Sequence, residues 1–376
     1  MHGIAGVVLW LRSKTNATPE TRGCLPGESL PDLHVIAADS LLDFALREFE
    51  HSMPVGRVEY LHLNPVTFQE FLRALGEDAL AEYIRSFHVG DEMSRPVLER
   101  LRELLRVYFF VGGMPAAVAA YAGERDLLRV QRIHTSIIMT LQDDFARYGS
   151  RSQQRNMHRV LQFVPRNLGR KVKYVNIARD VRSYELRTAV ELLDLSRLVS
   201  FVRHSSANGV PLGAEASNRH FKALLLDVGL CNNLCGLSLI DTEHLTTVQE
   251  GGLAEQFIGQ ELRCLGPSFE DRALYYWHRE AKSSSAEVDY LWTCGATVLP
   301  VEVRAGTSGS LKSIHVFLAE KDRGFAVRFN MGPPSLGRFR QTVRAGGRER
   351  GIEYALLSLP LFLVDQMDRL LEETLR

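Results

Sequence analysis

Residues 286–306 read AEVDYLWTCGATVLPVEVRAG. Two runs of strand-forming residues, VDYLW and VLPVEV, flank the turn residues CGAT, an order that predicts a β-hairpin. The hairpin carries charges that packing does not explain: Asp289 in the first apolar run, Glu302 in the second, and Arg304 two residues further on. Residues two apart on a strand point to one face, so Glu302 and Arg304 project together. If the two runs pair, Asp289 approaches Glu302 on the same side. Two carboxylates meeting at a sheet edge form an oxygen site suited to Mg²⁺. A cation beside them suits the anionic transition state of phosphodiester cleavage. A preceding helical segment, GLAEQFIGQELRCL (252–265), offers a third carboxylate in Glu255, with Glu261 as second choice.

Outward from the hairpin, strands ALYYWHR before it and FAVRF and YALLSLP after it, with helices SLKSIHVFLAEK and VDQMDRLLEETL, predict an α/β sheet. The segment GTSGSLKS (306–313) is not a Walker loop, which needs Gly-Lys-[ST] adjacent. It joins a strand to a helix start, where free N–H groups and Lys312 can hold a backbone phosphate.

The middle of the chain differs. NMHRVLQFVPRNL, KVKYVNIARDV and SYELRTAVELLDLSRLVSFV read as short helices, the last opening at Ser183 as N-cap, and the turn-rich SSANGVPLG and FKALLLDVGL follow. Short helices ahead of a glycine-punctuated β-turn give the order of a helix-turn-helix with a wing, over 149–235; an ordinary helical connector is the alternative. Lys171, Lys173, Arg182, Arg187 and Arg203 are its candidate phosphate contacts. Earlier still, LHVIAADS and RVEYLHL read as strands, Thr67 as a helix cap, and 78–148 as helical with one break at VGGMP (111–115).

Composition limits the function classes. Of 376 residues, 45% are hydrophobic, enough for two or three cored domains, and Lys plus Arg balances Asp plus Glu at 45 each. Nucleic acid would therefore have to meet a local patch rather than a global field. The five cysteines form no paired framework, and the CxxxC of Cys231 and Cys235 has no second pair for zinc, as in a reduced, cytoplasmic protein. The apolar run at 4–11 is too short to span a bilayer, so no membrane partner is expected.

The helix acid, the strand Asp289 and the Glu302-x-Arg304 triplet resemble the restriction-endonuclease-like nuclease core, whose pattern is helix Glu, strand Asp, then Glu-x-Lys. Carried over, Glu255 is the helix acid, Asp289 and Glu302 are the Mg²⁺ ligands, and Arg304 takes the lysine position. Arginine cannot release its proton, so the resemblance implies at most an electrostatic role there. Over a longer span, LHVIAADSLLDFAL, MPVGRVEYLHLNPVTFQEFL, VGGMPAAVAAY, LLLDVGL, AEQFIGQEL, YYWHRE, AEVDYL and PVEVRAG resemble a prokaryotic AAA-type ATPase family. Its C-terminal half is a domain of unknown function with a winged helix and a nuclease-like core. The resemblance divides the chain into an unrelated or disordered 1–30, a truncated ATPase remnant with helical lid at 31–148 drawn from a parallel sheet, the winged-helix-like 149–235, and a nuclease-like α/β domain at 245–376. Ser40 falls where the family carries a polar γ-phosphate sensor. No G-x-x-x-x-G-K-[ST] occurs anywhere, so ATP binding and hydrolysis are not expected. The expectation is an ATPase-family protein without ATPase activity, associated with DNA through its C-terminal half. The alternatives are a protein-interaction module with a protein partner and a live metal-dependent nuclease.

Overall fold

The computed structural model describes residues 7–11, 35–39, 58–147, 150–237, 247–279, 286–307, 310–345 and 348–375. The hairpin forms as its residues dictate. Strand β7 (Glu287–Cys294) turns through Gly295 and Ala296 into β8 (Thr297–Val303), with Cys294 opposite Thr297. Gly295 takes φ 57°, which a two-residue turn requires and glycine accepts without strain.

The hairpin is the middle of an eight-stranded mixed sheet. With β4 (Val199–Ser205), β5 (Ala216–Leu225), β6 (Leu274–His278), β9 (Phe325–Asn330), β10 (Ser335–Ala345) and β11 (Arg348–Pro360), the order is β10-β11-β9-β8-β7-β6-β4-β5. The pairs β11/β9, β9/β8 and β4/β6 are parallel and the others antiparallel. A long helix, Thr247–Cys264, covers one face, and the helix Lys312–Lys321 covers the other. The first face merges with the core of the helical middle through Phe257, Leu262, Tyr290 and Val301; the second buries Trp277, Leu291, Phe317 and Leu356. The mixed α/β class is as expected. The sheet crosses the expected boundary between 235 and 245, because the hairpin β4–β5 of the helical unit joins it through β6. Strand β10 was not foreseen: it is an edge strand rich in exposed Arg and Gln, and such residues blur the apolar alternation that flags a strand.

Seven helices occupy 68–195: Phe68–Ala74, Asp78–Ser86, Arg95–Val111, Pro115–Glu124, Leu127–Asp144, Arg151–Phe163 and Ser183–Leu195, with a single turn at Tyr174–Ile177. Thr67 caps the first through a capping box with Glu70. Ser183 is not an N-cap: it is the first helical residue, and Arg182 precedes it with no side-chain cap bond. The break at VGGMP has a physical cause. Gly112 has φ 67°, and a Cβ there would fall 2.2 Å from Asp227 Oδ1. Asp227 is fully buried, caps the helix Val228–Cys235 by accepting from Leu230 N, and accepts from Gly113 N at 2.6 Å. The two sequence signatures VGGMP and LLLDVGL are thus one contact.

The N-terminal strands correct two expectations. Val35–Asp39 (β2) and Val58–His62 (β3) run parallel to each other, as a parallel sheet implies, yet Val7–Leu11 (β1) lies between them and pairs antiparallel with both. An apolar run from the segment set aside as unrelated therefore supplies the central strand. The helix expected at LLDFALREF and the sensor-like Ser40 lie outside the described residues. No described helix is long and apolar enough to cross a membrane.

Candidate functional site

Three of the predicted acids converge, and the backbone explains how. On β7, Leu291 lies opposite Tyr275 and Val288 opposite Trp277, so two residues, Asp289 and Tyr290, face the single residue Tyr276. This bulge re-aims a side chain that strict alternation would send elsewhere. Asp289, 7% exposed, turns toward β8, and its Oδ2 accepts the Val303 amide at 2.9 Å. Tyr290 donates to the Glu255 backbone carbonyl at 2.7 Å, holding the long helix against the strand. Close approach is possible there because Gly259 carries no side chain: a Cβ would meet Tyr290 Oη and Leu224 Cδ1 at 2.4 Å. Two turn-spaced glutamines fix the same helix. Gln256 accepts from Leu225 N and donates to Leu225 O, while Gln260 accepts from Val228 N. Glu255 is thereby set over the sheet. A loop closes above it, where Gly169 at φ 70° leaves room that a Cβ, 2.6 Å from Glu255 Oε1, would take.

At the centre lies a residue not foreseen, Lys222 on β5. It is 3% exposed. Its Nζ is 3.1 Å from Glu255 Oε2, 2.8 Å from Glu287 Oε1 and 3.3 Å from Asp289 Oδ1. An ammonium has three N–H donors, and here each has a different carboxylate. Lys171 extends the network to the other oxygen of Glu287, at 3.1 Å. Arg304 pairs with Glu302, as their two-residue spacing implies, and also donates to the Val303 and Ser310 carbonyls. The cation bonded to Asp289 is Lys222. Glu302 is 2% exposed, and its Oε2 has no hydrogen-bond partner among the described residues.

The electrostatics follow from burial and these neighbours. Burial, then the charge of Asp289, pushes the Glu302 carboxyl well above its ordinary range, against the pull of Arg304. Burial and Asp289 likewise raise Glu255 to about 7, with Lys222 opposing. Burial would raise Glu287 too, but Lys222 and Lys171 outweigh it and hold the group below its ordinary value. Burial would lower Lys222, but Glu255, Asp289 and Glu287 together keep it well above the ordinary lysine value. Three cations thus face four carboxylates, two of which favour the proton-bearing form.

The donor set is of the right chemistry for Mg²⁺, which prefers oxygen ligands. Its arrangement does not fit. An ammonium is bonded to Glu255 and Asp289, the second Asp289 oxygen holds a backbone N–H, and Glu302 is engaged by a guanidinium. Among the described residues no group of three or more His, Cys, Asp or Glu side chains is placed to hold a metal ion. Glu261 is not part of the site. Six residues along the helix from Glu255, it points away, accepting from Phe68 N at 3.1 Å beside Tyr108.

The predicted phosphate contacts divide. Lys171 is committed to Glu287. Arg187 donates to Glu191 at 2.8 Å, and Arg203 lies 3.8 Å from Asp194 and over the Phe201 ring. Lys173 and Arg182 are exposed, as is Arg179 between them, which sequence reading passed over. Lys312 is exposed at the first position of its helix, with its N–H bonded to Ser310 Oγ rather than displayed. Lys222 had a signal in the sequence: a lysine inside the apolar run FKALLL is as anomalous as Asp289 inside VDYLW.

Residues 102–241 match a family described as a domain of unknown function, DUF8612, and residues 250–340 match another so described, DUF4143. No curated protein and no solved structure matches the chain. The expectation of a C-terminal domain of unknown function agrees with these matches.

Proposed function

We propose that the chain is a nucleic-acid-associated protein of the ATPase-family resemblance that does not hydrolyse ATP and, with its acid site as built, does not cut phosphodiesters. One observation carries the association. Around the turn between Tyr174–Ile177 and Ser183–Leu195, Lys173, Arg179 and Arg182 are exposed together with Tyr184, which is 61% exposed, and the antiparallel hairpin β4–β5 follows. Cations around a turn between two helical segments, with an aromatic able to stack, suit phosphate contacts that position a duplex without reading its sequence. The absence of a phosphate-loop sequence supports the lack of ATPase activity. The match of Lys171, Lys222 and Arg304 to the carboxylates supports the lack of cleavage, since these cations take carboxylate oxygens that a metal ion would need.

The test is retention of a duplex DNA probe across a salt series by the full chain and a Lys173→Ala/Arg179→Ala/Arg182→Ala variant. The reading expects weak, sequence-tolerant binding whose log–log salt slope falls by about 3 in the triple variant, close to one per lost phosphate contact. An unchanged slope would remove this surface from consideration.

A further inference from the structure

We propose that Lys222 is a built-in substitute for a divalent metal ion: its ammonium occupies the point on which the acid site converges, and without that charge the site takes a hard cation such as Mn²⁺ or Mg²⁺. The argument is geometric. Oxygens of three side chains on two elements, Glu255 on the long helix, and Glu287 and the bulged Asp289 on β7, lie at 2.8–3.3 Å from one point, the Lys222 nitrogen. Hard divalent ions bind carboxylate oxygen at roughly 2.0–2.6 Å, so contraction by about 0.2–1.3 Å converts the ammonium shell into a metal shell. A second observation points the same way. Glu302 Oε2 is buried without a partner beside these groups, a carboxylate oxygen left over by the ammonium, which has only three protons to give. A metal ion takes six or more ligands and can use it.

Lys222 comes from β5, at the far edge of the sheet. It lies in register with Val202, beside an interruption in which three residues, 218–220, have no partner between Arg203–Phe221 and His204–Ser217 in the β4–β5 ladder. The segment at Lys171–Val172 then pairs with the outer side of β5, and Val172 N donates to Phe221 O at 2.9 Å. The lysine is therefore held on both sides by backbone, and it lies 5.5 Å from the Tyr276 ring centre. This is a fixed feature of the core rather than a surface side chain folded inward.

The experiment uses the full chain as wild type, Lys222→Met, Lys222→Met/Glu255→Gln and Arg304→Lys. Mn²⁺ binding is measured by calorimetry and by the shift of the thermal midpoint on adding Mn²⁺. Methionine keeps an unbranched stem as far as Cε and removes the ammonium, leaving its position open. The expected result is Mn²⁺ binding by Lys222→Met at least about tenfold tighter than by wild type. Its midpoint should fall without metal and recover by several degrees with Mn²⁺. The double variant should lose that gain, and Arg304→Lys should bind no better than wild type because Lys222 is still in place. If Lys222→Met is too unstable for calorimetry, the Mn²⁺-dependent recovery of the midpoint decides alone. Equal Mn²⁺ affinity in wild type and Lys222→Met, or no Mn²⁺-dependent recovery, would overturn the proposal. DNA retention by the exposed surface of Lys173, Arg179 and Arg182 is a separate measurement, so either reading can fail without the other.

Discussion

Replacing Glu255 by glutamine tests the electrostatics of the acid site without dismantling it. Glu255 carries a proton affinity raised to about 7, from an ordinary value of 4.5. A folded-state value above the unfolded one makes a contribution that is complete below pH 4.5 and disappears as pH rises through 7. Between pH 5 and pH 8 this difference predicts a loss of about 2–3 kcal/mol of folding stability from this group, at about 1.36 kcal/mol per pH unit over most of that interval. Glutamine has no proton to lose and can still accept from Lys222. Urea unfolding of wild type and Glu255→Gln at pH 5 and pH 8 isolates the term. Other buried acids raised to about 6, Asp194 and Asp365, are common to both proteins and cancel in the comparison. The wild type should lose about 2–3 kcal/mol more than the variant on going from pH 5 to pH 8. Equal losses, or a larger loss in the variant, would show that Glu255 is ionised throughout and that the lysine fully offsets its burial.

Two further substitutions probe the frame that holds the site. Gly112→Ala should cost about 3 kcal/mol or more, because alanine resists φ 67° and its Cβ collides with Asp227, which is itself pinned by Gly113 and Leu230; urea denaturation giving less than about 1 kcal/mol would mean that the two loops separate easily. Gln256→Leu should cost about 2–4 kcal/mol in the same assay, since it strands the buried N–H and carbonyl of Leu225; a near-neutral result would mean that water reaches them.

The acids of the site were legible because they break a pattern. Charges inside VDYLW and VLPVEV cannot be packing residues, the hairpin turn is punctuated by glycine, and the helix acid sits in the element before it. Arg304 and Glu302 do meet, as a two-residue spacing on a strand dictates. What the pattern could not give was the partner of Asp289. Register alone leaves Asp289 facing Glu302, whereas a bulge that turns it toward Val303 and the reach of Lys222 from β5 across two strands are settled by three-dimensional packing. The lysine in FKALLL broke the same rule and was passed over because its strand read as the end of a separate unit. The sheet runs across the expected division of the C-terminal units for the same cause: two sets of strands have the same local sequence properties whether or not their edges join. The antiparallel central strand at Val7–Leu11 was equally hidden, since a short apolar run does not say which strands it will lie between.

The shared sheet has an evolutionary consequence. The two family segments meet between residues 241 and 250, and that junction separates Lys222 from Glu255, Glu287, Asp289 and Glu302. Each segment alone would carry into its core a charge with no counterpart: the first a buried ammonium, the second a cluster of carboxylates, and severed partners of a buried pair cost several kcal/mol. A recombination event at the junction, pairing either segment with a foreign neighbour, would produce a protein with an unbalanced interior even if every strand matched. A recombined protein would be disfavoured unless the charge on the other side of the junction changed with it or a cation filled the site.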